Sequence, residues 1–507
     1  MDTRLRELEQ LVGQQQTQVD YLQDQLRIAT TPPPPPPPEP YKIGSLPKLD
    51  WNWNFGPEAR SPNRDFYFHV GGRVQWDNVW LNSNDQAAAL ENTGVNNDAF
   101  QQGTFFRRLR IRTEGSMYEI VDWCVEIDFV HQILVQDPTV AAPQIPNGWQ
   151  SSVGTGIATA QSRMINTPSP TDLWWNIREV PLFGNIQIGN EKEPFSLERL
   201  ESSRYLDFME RNWGQDAFIS PTANGFAPGI LAWNWLPSRR GTYAYGLFKN
   251  VTDAYAYNVG DGQAEGAGRI TLLPWYDEAS GGRYFAHIGM GAAIRGIDNG
   301  IITYRVRGDL RNGPDILVPT WATTGPIGGQ LQNILNPEFL FQYGPLFVQS
   351  EFQANWTTNA VAQAGTKGDV APGEQLGQLF FYSSYVQVMY FLTGEHRIYD
   401  YQKGLVGRVI PRSNAFYLRG KDGRIFGPGA WQVGARWNYL NLNDKGVNGG
   451  ALNAMTFGVN WFLNPNMKIQ ANYDVTFRDA NAATNSPLGG GTEGIIYGFG
   501  MRVAADF

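Results

Sequence analysis

The sequence predicts an all-β protein: a transmembrane antiparallel β-barrel of about 16 strands, with an N-terminal coiled-coil helix and a polyproline linker. Three observations predict it. Several windows alternate large apolar residues with small or charged ones; the chain ends on such a window at an aromatic residue; and no stretch approaches the roughly 18 consecutive apolar residues of a helical span. Any insertion into a bilayer must therefore use strands. Bilayer-exposed backbone has to satisfy all its hydrogen bonds, so those strands must close.

The first element is helical. Leu5, Leu8, Val12, Gln15, Val19, Leu22 and Leu26 step by three and four, the a/d rhythm of a coiled coil. About three heptads are marginal alone in water; oligomeric barrels would hold such helices at high effective concentration. The competing reading is a solvated amphipathic stub. Pro32 to Pro38 follow, a polyproline II spacer of roughly 22 Å at about 3.1 Å per residue. The expected organisation is a heptad helix over 1–30, a linker over 31–50 and the barrel over 51–507. Met1 opens no charged region followed by an apolar one, so an export signal is expected to be already removed or to lie outside this sequence. Export is inferred from the barrel.

The strands themselves come next. Phe66, Phe68, Val70, Val74, Trp76 and Trp80 alternate with Tyr67, His69, Arg73, Gln75 and Asp77. Trp431, Val433, Ala435, Trp437 and Tyr439 alternate with Gln432, Gly434, Arg436 and Asn438. Met467, Ile469, Ala471, Tyr473, Val475 and Phe477 alternate with Lys468, Gln470, Asn472, Asp474 and Thr476. In the last window Ile495, Tyr497, Phe499, Met501, Val503, Ala505 and Phe507 share one face, and Tyr497, Phe499 and Phe507 read as an outer-membrane assembly signal. Aromatics on one side with Arg, Lys, Asp and Asn among glycines on the other suit lipid outside and a wet lumen inside. The 17 Trp, 22 Tyr and 28 Phe supply interfacial girdles. Beyond residue 50, a crossing of roughly 10 residues with its share of turns and loops uses about 28, which gives the strand number and predicts a water-filled interior.

Charge lines that interior. In TFFRRLRIRTEG, Arg108, Arg110 and Arg112 share a face with Glu114, opposite Leu109 and Ile111, and recur about 6.6 Å apart. The returning strand carries Asp122, Glu126 and Asp128 inward, so the ladder reads either as a structural charge network or as an anion attractor. Arg305 and Arg307 in ITYRVRGD form a second inward pair, with Tyr304 and Val306 outward; guanidinium forks suit phosphate or carboxylate. The segment NEKEPFSLERLESSRYLDFMERNWGQDAF is too polar to cross lipid and is expected to fold inward over about 191–225, with Lys192, Arg199, Arg204 and Arg211 opposed by acids including Glu191 and Glu210. Its mixed charge favours a transverse field.

The sequence offers no catalytic or metal site and implies no cofactor. Cys124, the one cysteine, excludes an internal disulfide and shares lumen parity with Asp122 and Glu126. His69, His131, His287 and His396 lie far apart, without metal-ligand spacing. A net charge of -8 argues against nucleic acid as a partner.

GGRVQWD, FFRRLRIRTEG, IGNEKEPFSLERLESSRYLDFMER, YVQVMYFLTGEHRIYD, GAWQVGARWNYLNLND and FGVNWFLNPNMKIQANY, in that order, resemble the phosphate-selective porin O and P family. The resemblance implies a 16-stranded outer-membrane barrel, usually trimeric, that passes small anions passively past an arginine ladder and an infolded third loop. Arg107 and Arg108 match that family's paired arginines, and EKEPFSLERL matches its third loop. Parity places Arg108 inward and leaves Arg107 open. Phosphate-specific members concentrate lysines above the constriction, and no such cluster is identified here, so the expected function is a porin for small hydrophilic solutes with mild anion preference. The amino terminus resembles periplasmic extensions of some porins.

Other readings remain at this stage. The barrel can serve as a structural anchor whose residues 1–40 contact a periplasmic or cell-wall partner. An outer-membrane enzyme would need a Ser beside a His on the lipid-facing rim, and spacing provides none. A soluble carbohydrate-binding sandwich would bury the aromatics that the barrel exposes.

Overall fold

A computed structural model describes residues 49–83, 102–130, 132–136, 162–166, 168–219, 225–249, 262–313, 320–420, 423–479 and 493–507, with isolated positions between 4 and 22. Sixteen strands, numbered β1–β16 in chain order, form the wall: β1 Phe66–Ser83, β2 Gly103–Met117, β3 Val121–Asp128, β4 Ser169–Val180, β5 Gly184–Glu191, β6 Ala227–Trp235, β7 Gly241–Lys249, β8 Ala264–Tyr276, β9 Tyr284–Gly296, β10 Leu331–Tyr343, β11 Leu346–Ala362, β12 Gln375–Phe391, β13 Ala430–Asp444, β14 Val447–Asn464, β15 Met467–Asp479 and β16 Glu493–Asp506. Each pairs antiparallel with its sequence neighbour, and β16 returns to β1 from Ile496↔Ser83 to Asp506↔Arg73. Phe507 extends the seam: its N–H donates to the Gly72 carbonyl at 3.2 Å, and the Gly72 N–H donates to its carbonyl at 2.8 Å. Closure leaves the barrel no free edge, the condition for strands in lipid.

The period-two pattern explains which face each strand turns out. Trp76, Trp80, Phe106, Ile111, Phe457, Tyr473, Phe477, Tyr497 and Phe499 stand exposed on the outer wall, while Arg436, Arg502, Asn438, Gln432 and Thr476 on the inner face are fully buried. Burial is therefore inverted relative to a water-soluble sandwich, because this outer solvent is hydrocarbon. Among the described residues no helix is long and apolar enough to cross a membrane.

One rim carries the short connections 118–120, 181–183, 236–240, 277–283, 344–345 and 465–466, together with the start of β1 and the end of β16. That is the periplasmic pattern of such barrels. A hairpin of Asp50–Trp53 and Pro57–Arg60 adds to β1 there through Glu58↔His69 to Arg60↔Tyr67. Described positions between Arg4 and Leu22 are helical. Coiled-coil pairing of the heptads and the conformation of Pro32–Pro38 lie outside the described residues.

Three segments fold into the interior, where the sequence predicts a water-filled lumen with one infolded segment over about 191–225. The first lies between β5 and β6, where the described residues 192–219 and 225–226 include two short helical pieces, Leu197–Leu200 and Gln215–Ile219. The connection from β9 to β10 contains a hairpin of Ile301–Arg307 and Thr320–Gly328. The long connection from β12 to β13 sends residues 395–409 back inside, where Arg397 and Tyr399 are buried. Together with the wall these segments build an apolar cluster within the barrel, including Trp213, Phe218, Tyr304, Leu310, Trp321, Phe381 and Leu440. Fully burying a side chain of this size contributes on the order of 3 kcal/mol, so the lumen contents are a packed structural unit.

Lipid exposure of the outer face is testable at Phe457, midway along β14. Phe457→Arg is expected to destabilise the barrel by about 2–4 kcal/mol in denaturant unfolding from vesicles. A change under about 0.5 kcal/mol, the usual effect of a substitution on a watery surface, would contradict it.

Candidate constriction and its charge network

The wall arginines are positioned by β1 and β2. Register places Arg112 opposite Gly71, Arg110 opposite Arg73 and Arg108 opposite Gln75, after which it slips so that Phe106 faces Trp76. Arg107 is the extra residue of a β-bulge, which re-aims a side chain that simple alternation would send outward. It turns inward and forks onto Glu210 of the infolded loop, at 2.7 and 3.0 Å. Both members of the arginine pair thus face the lumen, and the sequence signal for Arg107 was the resemblance, since alternation cannot anticipate a bulge.

Acids from β3 and β4 meet the lower ladder. Arg110 binds Asp128 at 2.7 Å and Glu126 at 3.0 Å. Arg112 reaches Asp172 at 3.1 Å and Glu114 at 2.8 Å, and Arg73 pairs with Glu126. This stretch is a cross-braced wall.

The infolded loop is held across the lumen by partners far away in sequence. Glu351 on β11 accepts the Leu197 and Glu198 N–H groups at 2.7 and 3.0 Å, placing a carboxylate at the start of the helical turn. Asp207 accepts from Arg397 at 2.8 Å, Gln432 at 3.0 Å and Gln387 at 3.1 Å. Arg436 lies 3.4 Å from Glu198 and 3.1 Å from Asp309 of the β9–β10 connection. Arg502 binds Asp77 at 2.6 Å and Glu210 at 3.1 Å. Ser203 accepts from Arg73 at 2.7 Å, and Lys468 donates to the Leu206 carbonyl at 2.7 Å. Arg397, Arg436 and Arg502 were absent from the sequence-based site. The inward parity of Arg436 and Arg502 was visible, but the acids they meet come from loops whose path no local pattern encodes.

Arg305 and Arg307 occupy a different place from the one expected. Their strand belongs to the infolded hairpin, since β9 pairs directly with β10 from Tyr284↔Tyr343 to Gly296↔Leu331. Tyr304 and Val306 are fully buried: the Tyr304 ring packs edge-on to Phe218 at 5.8 Å and Phe381 at 5.4 Å. Arg305 is on the exposed side of the hairpin, and Arg307 is bound by Asp216. Alternation marks any strand with one packed face; here that face meets the infolded loop and the wall rather than lipid.

The periplasmic connection supplies a third set of contacts. Arg269 donates to the Lys403 and Gly404 carbonyls at 3.0 and 2.8 Å, and His287 Nδ1 lies 2.8 Å from the Tyr399 hydroxyl. Arg408 pairs with Asp506 at 2.6 Å, and Arg204 lies 3.4 Å from the same carboxylate. Glu191 is buried beside Gln187 at the end of β5, and Arg199 pairs with Glu193. Cys124 is buried on β3.

Against this matched background a few interior cations stand apart: Lys468, which donates to the Leu206 carbonyl, and a group of three that lie near one another. Among the described residues none of Arg108, Lys192 and Arg211 has a carboxylate as a hydrogen-bonding or ion-pair partner. Arg108 donates to the Gln75 side-chain carbonyl at 2.7 Å. Arg211 donates to the Glu198 and Glu201 carbonyls, both at 2.8 Å, and Lys192 to the Arg199 and Glu201 carbonyls at 2.5 and 3.3 Å. Arg211 is near enough to repel both Arg108 and Lys192. Burial, then the Arg211 charge, holds the Lys192 ammonium well below its ordinary range. Burial also pushes the Glu201 carboxyl up to about 8 against the opposing pull of Arg397, whereas Arg107 and Arg311 overcome burial and keep Glu210 well below the usual carboxylate range. Among the described residues no group of His, Cys, Asp and Glu is arranged to hold a metal ion.

A closed sixteen-stranded barrel narrowed by infolded, charge-lined loops defines the porin class. The description of the phosphate-selective porin O and P family matches residues 171–491, and the chain belongs to that family of outer-membrane porins. It is 22% identical to Porin O of Pseudomonas aeruginosa over 445 residues, covering 82% of this chain and 84% of that one. An uncharacterised protein of Caulobacter vibrioides is 24% identical over 480 residues, 92% of this chain and 79% of the relative. Among solved structures, an anion-selective porin from Comamonas acidovorans superposes with TM-score 0.46 at 9% identity, covering 87% of this chain and all of the other. Salmonella typhi OmpF in complex with daunomycin superposes with TM-score 0.43 at 11% identity, over 90% of this chain and all of the other.

Asp207→Ala would remove a shared acceptor of Arg397, Gln387 and Gln432. Breaking such a buried pair costs about 3–5 kcal/mol, so the loop is expected to open more often. Conductance noise and protease cleavage within 192–226 should both rise; a quiet, protease-resistant variant would show that the loop is held elsewhere.

Proposed function

We propose that this porin passes small hydrophilic solutes passively and prefers small anions, phosphate among them, at the constriction between β2 and the infolded loop. The observation that carries this reading is the trio Arg108, Arg211 and Lys192: among the described residues none hydrogen-bonds or ion-pairs with a carboxylate, although Glu210 lies near Arg108, Glu198 and Glu210 near Arg211, and Asp172 near Lys192. A guanidinium that donates only to carbonyl or amide oxygens can also turn its charge to a passing anion, and guanidinium forks favour phosphate or carboxylate; Lys192 adds charge as pH falls. Several such charges in series attract without trapping, because each site is weak enough to be left. Arg110 and Arg112, engaged by acids, brace the wall and contribute less. Membership in a family described as phosphate-selective supports the same direction, and family precedent supports a homotrimer. Tyr497, Phe499 and Phe507 act as the assembly signal at the carboxy terminus, and residues 1–40 extend into the periplasm.

Reversal potentials across planar bilayers in a salt gradient test the reading. The wild-type pore is expected to be anion-selective. Replacing Arg108, Lys192 and Arg211 together by glutamine should lower the anion-to-cation permeability ratio by about tenfold, equivalent to roughly 1.4 kcal/mol. An unchanged ratio in a folded variant, or cation selectivity of the wild type, would refute it.

Protonation adds a second handle. As pH falls below about 8, Glu201 loses negative charge, and lowering pH through the depressed Lys192 value adds positive charge. Anion preference should therefore strengthen on acidification. Glu201→Gln should flatten the part of the profile near pH 8; a profile that weakens toward acid would contradict this assignment.

A further inference from the structure

Before the connection from β12 reaches β13, it leaves the lumen and forms a second hairpin, Ala415–Gly420 paired with Gly423–Pro428. The base of this hairpin is pinned to the outside of the barrel. Phe416 packs edge-on against Trp461 at 5.4 Å, Trp461 stacks on Trp431 at 5.0 Å, and both indole N–H groups donate to the Pro428 carbonyl, at 2.8 and 3.1 Å. Trp431 and Trp461 end the outward row that also contains Val459, Phe457 and Trp437, so the hairpin begins where the lipid-facing belt stops.

Two further features go with this position. Phe416 has φ +68°, a left-handed conformation unusual for a bulky side chain, held only when the surroundings over-determine it. Beyond the pinned base the hairpin spends apolar residues on its surface: Ile425 and Phe426 are 60% and 64% exposed, beside exposed Arg424. Adjacent apolar and basic groups, level with tryptophans whose N–H groups are satisfied, are the composition of a segment lying in the boundary between headgroups and acyl chains.

We propose that the hairpin of Ala415–Gly420 and Gly423–Pro428 is a membrane-interface element, which seats Phe416, Ile425 and Phe426 in the periplasmic leaflet and sets exposed Arg424 beside lipid phosphates. The occupant is the phospholipid surface itself, because the hairpin continues an outer wall already built for lipid. It would fix the height of the barrel and tether the connection whose other half enters the lumen.

Full-length protein carrying Ile425→Cys, labelled with an environment-sensitive fluorophore, tests this in phosphatidylethanolamine–phosphatidylglycerol vesicles; unsubstituted protein, whose Cys124 is buried, gives the blank. The expected result is blue-shifted emission, quenching by lipids spin-labelled near the headgroup, and loss of quenching by aqueous iodide. Iodide quenching without lipid quenching would overturn the proposal in favour of a periplasmic hairpin. Protection from both, with cross-linking between protomers, would overturn it in favour of a contact with a second copy. Arg424→Cys provides a second reporter if the first variant does not give the heat-modifiable migration of a folded barrel.

Discussion

The structure depends on keeping a polar loop inside a wide barrel. A wall of sixteen strands encloses more space than its own side chains fill, so whatever crosses that space sets what passes. Residues 192–219 cross it because carboxylates on the loop meet arginines on distant strands: Glu210 meets Arg107 and Arg502, Asp207 meets Arg397, and Glu198 meets Arg436. Breaking one member of such a pair is costly because it strands the other in a poorly solvated interior. The apolar side of the same unit, with Trp213 and Phe218 against Tyr304 and Trp321, gives the loop a core of its own.

This bracing also sorts the cations by role. Acids are spent on Arg73, Arg110, Arg112, Arg436 and Arg502, which makes the network rigid and nearly neutral. Arg108, Arg211 and Lys192 donate to oxygens that carry no full charge. An arginine count therefore misjudges the pore, since most of its guanidinium groups are structural. Selectivity in this account comes from the small unmatched remainder, positioned by the matched majority.

Much of the fold was legible because lipid imposes a rule that strands obey residue by residue. Outward Trp, Tyr and Phe, inward Gln, Asn and Arg, and the aromatic end of β16 follow from local alternation alone. What escaped was set by long-range contact. The strand containing Arg305 and Arg307 alternates like a wall strand, yet its apolar face meets Phe218 and Phe381 inside the barrel. Arg107 turns inward through a bulge that exists only in pairing with β1. Folding of 395–409 back into the lumen had no local signal, because Arg397 and Tyr399 read as ordinary turn residues until Asp207 and His287 are placed beside them.

The central claim is that unmatched positive charge gathers on one side of the constriction. Anomalous diffraction from crystals grown in bromide tests it most directly. The account predicts a bromide ion within contact of Arg108, Arg211 or Lys192, between β2 and the infolded loop. Bromide confined to cations at the barrel rims, with none at these three residues, would contradict it.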